Sequence, residues 1–186
     1  MTDRYPLLII SCMEIRTASV GDAEQILEIY APYVTETAVS FEYEAPSAEE
    51  FRSRIGRALT KYPYLVAEEG RQIIGYAYAS AFKDRAAYER SVEVSIYVRK
   101  GMGRRGVGRA LYGRLDEELR RRGILNAYAC IAIPVTDNDP YLSLDSMKFH
   151  ERMGYRLCGT FSKCGNKFNR WYDMVWMEKM LGEHGE

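Results

Sequence analysis

The chain has 186 residues, 47% of them hydrophobic, with 26 lysines and arginines balanced by 26 aspartates and glutamates. That is enough apolar material for one core and too little length for two ordinary domains. A formal net charge of zero removes any whole-molecule pull toward nucleic acid or an anionic membrane, and short apolar runs such as Leu7 to Ile10 fall far below the roughly 20 residues that span a bilayer.

Residues 1–13 read as an N-terminal extension, with Met13 as an alternative start, residues 14–181 as one domain and 182–186 as a tail. The domain opens with a strand at Ile15 and Thr17, then a helix from Gly21 and Asp22 that carries Ile26, Leu27, Ile29 and Tyr30 on its buried side. An extended piece through Val39, Phe41 and Tyr43 follows. Pro46 to Glu50 then starts a second helix, with acids in its first turn where the dipole favours them, running to about Leu59. Tyr64 to Ala67 and Ile73 to Ala81, joined across Glu69-Gly70-Arg71, read as a hairpin, and Ser91 to Val98 as a third strand. Gly106 to Arg122 places Val107, Ala110, Leu111, Leu115 and Leu119 on one helical face, and Gly123 ends it. A strand from Ala127 to Ile133, a helix from about Leu144 to Arg152 and strands at Tyr155 to Phe161 and Trp171 to Met180 complete the order. Partial alternation, with a hairpin early and a strand pair late, predicts an α/β (α+β) fold. Its single mixed sheet has six to seven strands flanked by about four helices on both faces.

The four cysteines, Cys12, Cys130, Cys158 and Cys164, form no C-x-x-C pair and stand near no set of histidines. They predict buried small apolar side chains, no metal site, and a reducing, cytoplasmic setting.

The segment Arg99 to Arg109 holds four glycines and five basic residues between a strand and an amphipathic helix. Glycines let backbone approach a ligand, and the unpaired amides at a helix start make an anion site that arginines reinforce. A P-loop would enter the helix as Gly-Lys-Ser/Thr, whereas Gly108 here precedes Arg109-Ala110. A Rossmann turn would follow the first strand of a parallel set. A pyrophosphate cradle of another type is the reading that remains, against a basic loop with no ligand.

At these residues the chain resembles a known family. Arg104-Arg105-Gly106-Val107-Gly108-Arg109-Ala110-Leu111 is similar to the acetyl-CoA motif of GNAT acetyltransferases, and Ser91 to Val98 resembles their phosphinothricin acetyltransferase-like branch. Ser146 to Tyr155 and Lys167 through Asp173 to Lys179 are similar to the same branch, and the likeness runs from about Glu14 to Met180. It departs at Gly103, where the family has glutamine or arginine, and at Pro134 to Leu144, a longer connection. The resemblance implies the GNAT fold, acetyl-CoA as co-substrate, and direct transfer to the primary amine of a small molecule such as an amino acid. It also implies a homodimer. The cofactor would lie on Ile96, Tyr97 and Val98 and on Gly103, Arg104, Arg105, Gly106, Val107, Gly108 and Arg109, with a strand amide near Ile96 to Val98 holding the developing oxyanion.

Two residues are the catalytic candidates. Alternation sets Glu93 mid-strand among apolar neighbours, where partial burial raises a carboxylate toward a useful base; pairing with an arginine across the sheet is the alternative. His150, four residues before Gly154, occupies the place of the family's tyrosine acid or the branch's histidine, and the alternative is a histidine bonded to a backbone carbonyl. Phe41, Glu42, Tyr88, Lys167 and Trp171 are the substrate-contact candidates, each equally able to serve as ordinary packing. Two other functions fit the cradle: a non-catalytic acyl-CoA-binding module and a protein or peptide N-acetyltransferase. A nucleic-acid role would rest on the five basic residues alone, without interleaved aromatics, and no such partner is expected.

Overall fold

The structure, a computed structural model, describes residues 13–185, so most of the expected extension, Cys12 included, lies outside the described residues. One seven-stranded sheet runs in the order β1-β2-β3-β4-β5-β7-β6. The strands are β1 (Glu14–Thr17), β2 (Tyr64–Glu69), β3 (Gln72–Ala81), β4 (Ser91–Val98), β5 (Asn126–Pro134), β6 (Arg156–Lys167) and β7 (Arg170–Met180). The helices are α1 (Ala23–Thr35), α2 (Ala48–Leu59), α3 (Val107–Arg121) and α4 (Asp145–Arg152). The architecture is that of the GNAT fold, as the motif resemblance implies.

Period-two alternation sorts β2 between two layers. On β3 a register shift against β2 that skips Ile74 interrupts the alternation, so Ile73 and Tyr76 fall to one layer and Ile74 and Ala77 to the other. Leu65, Ala67, Ile74 and Ala77 join the core under α3, while Tyr64, Val66, Ile73 and Tyr76 join the one under α1 and α2. With helices on both faces, β2 reads as a continuous apolar run, Tyr64 to Ala67, rather than an alternating one. At Gly75 a Cβ would meet Val107 Cγ1 at 3.0 Å and the Tyr97 carbonyl oxygen at 3.2 Å, so glycine there lets α3 seat close to β3.

Among the described residues only β4 and β5 pair in parallel, and their pairing is short: Ser91↔Asn126, Val92↔Ala127 and Glu93↔Tyr128. Beyond Glu93, β5 goes on pairing with β7 as far as Pro134↔Tyr172 while β4 stays on β3 as far as Val98↔Gly75. The two strands therefore part midway along the sheet.

Two details differ from the sequence reading, while the piece through Val39, Phe41 and Tyr43 is irregular chain between α1 and α2 whose amides find local hydroxyls, as in Val39 N to Thr37 Oγ1 (3.2 Å) and Glu42 N to Ser40 Oγ (3.2 Å). The last two strands are longer than their apolar runs and form one hairpin whose turn, Phe168-Asn169, has φ of 51° and 57°. The described cysteines are not buried: Cys130, Cys158 and Cys164 are free and exposed, because β6 is an edge strand and, among the described residues, no helix covers one face of the β5-β7-β6 half.

Candidate active site

The parting of β4 from β5 leaves backbone groups unpaired. Arg99 N donates to Ile74 O at 2.8 Å, which fixes the antiparallel alternation with β3 and turns the peptide groups of Val94, Ile96 and Val98 toward the gap. The Val98 carbonyl accepts the Tyr33 hydroxyl at 2.6 Å. A cavity of about 50 Å³ lies in this gap, between Val94 to Tyr97 on β4 and Ala129 to Ala132 on β5, with Val39, Ser146 and His150 closing it. Unpaired strand amides beside a small cavity suit an extended ligand arm and a developing negative charge.

The basic turn sits at the end of β4. Gly101, Arg104 and Gly106 have φ of 84°, 63° and 83°, and Gly106 stands before α3 as a left-handed residue with no side-chain cap. The first amides of a 15-residue helix are thus open to an anion. Three of the five basic residues are spoken for: Arg99 reaches Glu28 (3.2 Å), Lys100 reaches Glu36 (2.7 Å) and Arg105 reaches Glu69 (2.9 Å). Arg104 and Arg109 have no acidic partner among the described residues, so they are the cations left for a diphosphate. Gly103 leaves open space where the family's longer side chain would stand. The residues present fit a coenzyme diphosphate.

Glu93 is the last residue of β4 that pairs with β5, so it stands where the strands part. It is half-buried, and burial lifts its carboxyl above the usual range while the Lys83 charge opposes the shift. No arginine pairs with it among the described residues. Ser80 lies beside it on β3 and Tyr128 on β5.

His150 is 3% exposed. Its Nδ1 lies 2.8 Å from the Ser146 carbonyl and its Nε2 lies 2.9 Å from the Tyr112 hydroxyl. A carbonyl only accepts, so Nδ1 carries the ring proton; the neutral ring then accepts the Tyr112 hydroxyl at Nε2. Burial lowers its pKa to about 4, against the hydrogen bond from Nδ1 that raises it. At neutral pH this is an uncharged ring held at both nitrogens, with its side on the cavity wall.

The substrate candidates scatter. Phe41 presses on Gly165, where a Cβ would meet its ring at 2.2 Å. Glu42 accepts the Tyr30 hydroxyl (3.0 Å) and pairs with Arg54 (2.8 Å), so its carboxylate is already partnered. Tyr88 is 40% exposed and packs edge-on to Phe82, which stacks on Tyr128 beside Glu93. Lys167 is buried, and Trp171 is 57% exposed. Sequence reasoning missed Val39, Tyr33 and Tyr112. Nothing local marks them, since each matters only through a partner far along the chain, as Tyr33 does through Val98 and Tyr112 through His150.

A family profile described as "Acetyltransferase (GNAT) domain" matches residues 15–176. The chain is 34% identical over 173 residues to the phosphinothricin N-acetyltransferase of Streptomyces coelicolor, covering 91% of this chain and 96% of that one. It is 32% identical to an L-amino acid N-acyltransferase of Escherichia coli, covering 94% and 97%. Among solved structures, the phosphinothricin acetyltransferase of Sinorhizobium meliloti in complex with acetyl-CoA superposes with a TM-score of 0.81 at 34% identity, covering 91% and 89%.

Proposed function

The chain belongs to the GNAT acetyltransferase family, and from that premise we propose that its cleft moves an acetyl group from acetyl-CoA to the α-amine of an amino acid or a close analogue. The observation that carries the reading is the coincidence of three features at one place: the parted strands, the open start of α3 and a half-buried carboxylate at the fork. Relatives named for phosphinothricin and L-amino acids support the acceptor class.

Acetyl-CoA supplies an activated thioester: as the freed amine bonds to the acyl carbon the C–S bond breaks, and CoA leaves as the thiol with the proton that the new amide nitrogen gives up. The amides of Val107 to Arg109 with Arg104 and Arg109 would hold its diphosphate, and the peptide groups of Ile96 and the amide of Val98, which face the gap, would hold its arm as an added strand is held. Glu93 takes the proton from the acceptor's ammonium, directly or through a water, which its raised pKa favours. An Ile96 or Val98 amide faces the negative charge that grows on the acyl oxygen. His150, neutral and doubly bonded, orients the wall of the cavity through Ser146 and Tyr112.

The setting we propose is cytoplasmic, supported by three exposed free thiols that a reducing compartment keeps as thiols. The assembly we propose is a homodimer. Its support is the uncovered half of the sheet, where Phe82, Tyr128 and Trp176 pack together, with Phe161 52% exposed nearby. Light scattering on the purified protein gives the mass that decides this. For the activity, thiol release from acetyl-CoA is followed with a panel of free amino acids, simple amines and peptides. Turnover confined to free amino acids and analogues is expected; CoA binding without turnover on any amine would leave a non-catalytic acyl-CoA module instead.

A further inference from the structure

Lys167, the last residue of β6, is 2% exposed. Among the described residues no carboxylate forms an ion pair with its ammonium, although the Glu42 charge acts on it from a distance. Nζ donates instead to two main-chain oxygens, Val34 O and Ser40 O, each at 2.6 Å, across 133 and 127 residues of chain. Val34 lies in the final turn of α1, where carbonyls lack helical partners and a cation is favoured. Burying an ammonium is costly, and burial does lower the pKa of this one. An apolar chain of equal length would fill the same space without that cost. What it would not do is hold two carbonyls.

The two carbonyls bracket residues 35–39, the segment that brings Val39 to the cavity in the β4-β5 gap. The same hairpin grips the residues that follow. The Phe41 ring occupies the space that glycine leaves open at Gly165, and the Tyr43 hydroxyl donates to Asn166 O at 2.9 Å. A third loop is tied in through Ala38 N to Tyr141 O (3.0 Å), with Tyr141 stacked on Phe168 at 4.2 Å.

We propose that Lys167 is a positioning residue that clasps the α1-α2 loop to the β6-β7 hairpin, setting Val39 as a fixed wall of the cavity and so limiting the size of amine the site accepts. This rests on the catalytic reading for its consequence but not for the clasp itself. The two are tested separately.

For the clasp, Lys167→Met is compared with wild type by hydrogen exchange of the amides of residues 36–43. Loss of protection there, with the α3 amides unchanged, is expected; unaltered protection overturns the clasp whatever the enzyme does. For the consequence, kcat and KM are measured with acetyl-CoA, a free amino acid, and a dipeptide with the same N-terminal residue. The variant is expected to keep its KM for acetyl-CoA, to lose about tenfold in kcat/KM for the amino acid, chiefly through KM, and to shift toward the dipeptide. Lys167→Arg, which keeps donors and charge, should recover part of the selectivity. A merely structural lysine would lower both acceptors in proportion to the folded fraction, and an unchanged acceptor ratio overturns the role. Should Lys167→Met fail to fold, Gly165→Ala displaces the Phe41 ring from the other side and must move the same ratio; if it does not, the wall is not what selects.

Discussion

The state of His150 can be tested through stability rather than activity. Its pKa is held near 4 in the folded protein against an ordinary 6.5, chiefly by burial. Above pH 6.5 the ring is neutral in both folded and unfolded chains and contributes nothing to the pH dependence. As pH falls below 6.5 the unfolded chain takes up a proton that the folded one refuses, so stability is lost until the pH passes about 4. A difference of that size corresponds to roughly 3 kcal/mol in all, of which about 2 kcal/mol is already lost at pH 5. Other groups also titrate in this range, so the measurement is a difference. Urea unfolding of wild type and His150→Gln is compared at pH 7.5 and pH 5. The substitution lowers stability at both, but the variant should lose about 2 kcal/mol less than wild type between them. Equal losses in the two proteins would mean that His150 is free to protonate in the folded state. The assignment of its two hydrogen bonds, and with it the uncharged wall of the cavity, would then be wrong.

Three further outcomes are expected. Glu93→Gln should leave CoA affinity by calorimetry unchanged while kcat falls by about 10² to 10⁴; the wild-type rate should drop as pH falls through a pKa above the ordinary 4.5, and that acid limb should vanish in the variant. Gly106→Ala forces a side chain onto a residue with φ of 83°, which costs roughly 1 to 2 kcal/mol and tilts the first amides of α3, so CoA should bind several-fold more weakly in the same titration. Tyr155→Phe removes the one buried side-chain polar atom that finds no partner among the described residues; with no hydrogen bond lost, the variant should gain up to about 1 kcal/mol, seen as a Tm higher by roughly 2 to 4 °C in a thermal scan.

Much of the fold was legible because its signals are local. The period-two alternation around Glu93 on β4 and the amphipathic face of α3 fix elements from neighbours a few residues apart, and the glycines of the turn after β4 mark a break in regular structure. The order of elements with a motif at Arg104 to Leu111 then gave the architecture. What stayed hidden depends on distant partners. The five basic residues of the turn look equivalent in sequence, yet Glu28, Glu36 and Glu69 neutralise three of them and leave Arg104 and Arg109. Lys167 reads as a polar residue beside a turn, and only the return of α1 past the hairpin puts its ammonium on two carbonyls. The cysteines read as core because cysteine usually is; an edge strand and an uncovered sheet face reverse that.

The features of the site follow from one topological fact. A parallel neighbour cannot be reached by a tight turn, so the chain leaving β4 must cross over before it returns as β5, and α3 is that crossover. A crossover helix begins at the carboxyl end of the strand it leaves, which puts its unpaired amides at the open end of β4. The antiparallel pairing of β5 with β7 draws β5 away after Tyr128, so the gap opens on the same end. The anion cradle, the unpaired strand edge and the carboxylate at the fork are therefore not three separate inventions. A change that extended the β4-β5 ladder by even one pair beyond Glu93 would pair off strand groups the cofactor arm needs, while leaving every motif residue in place.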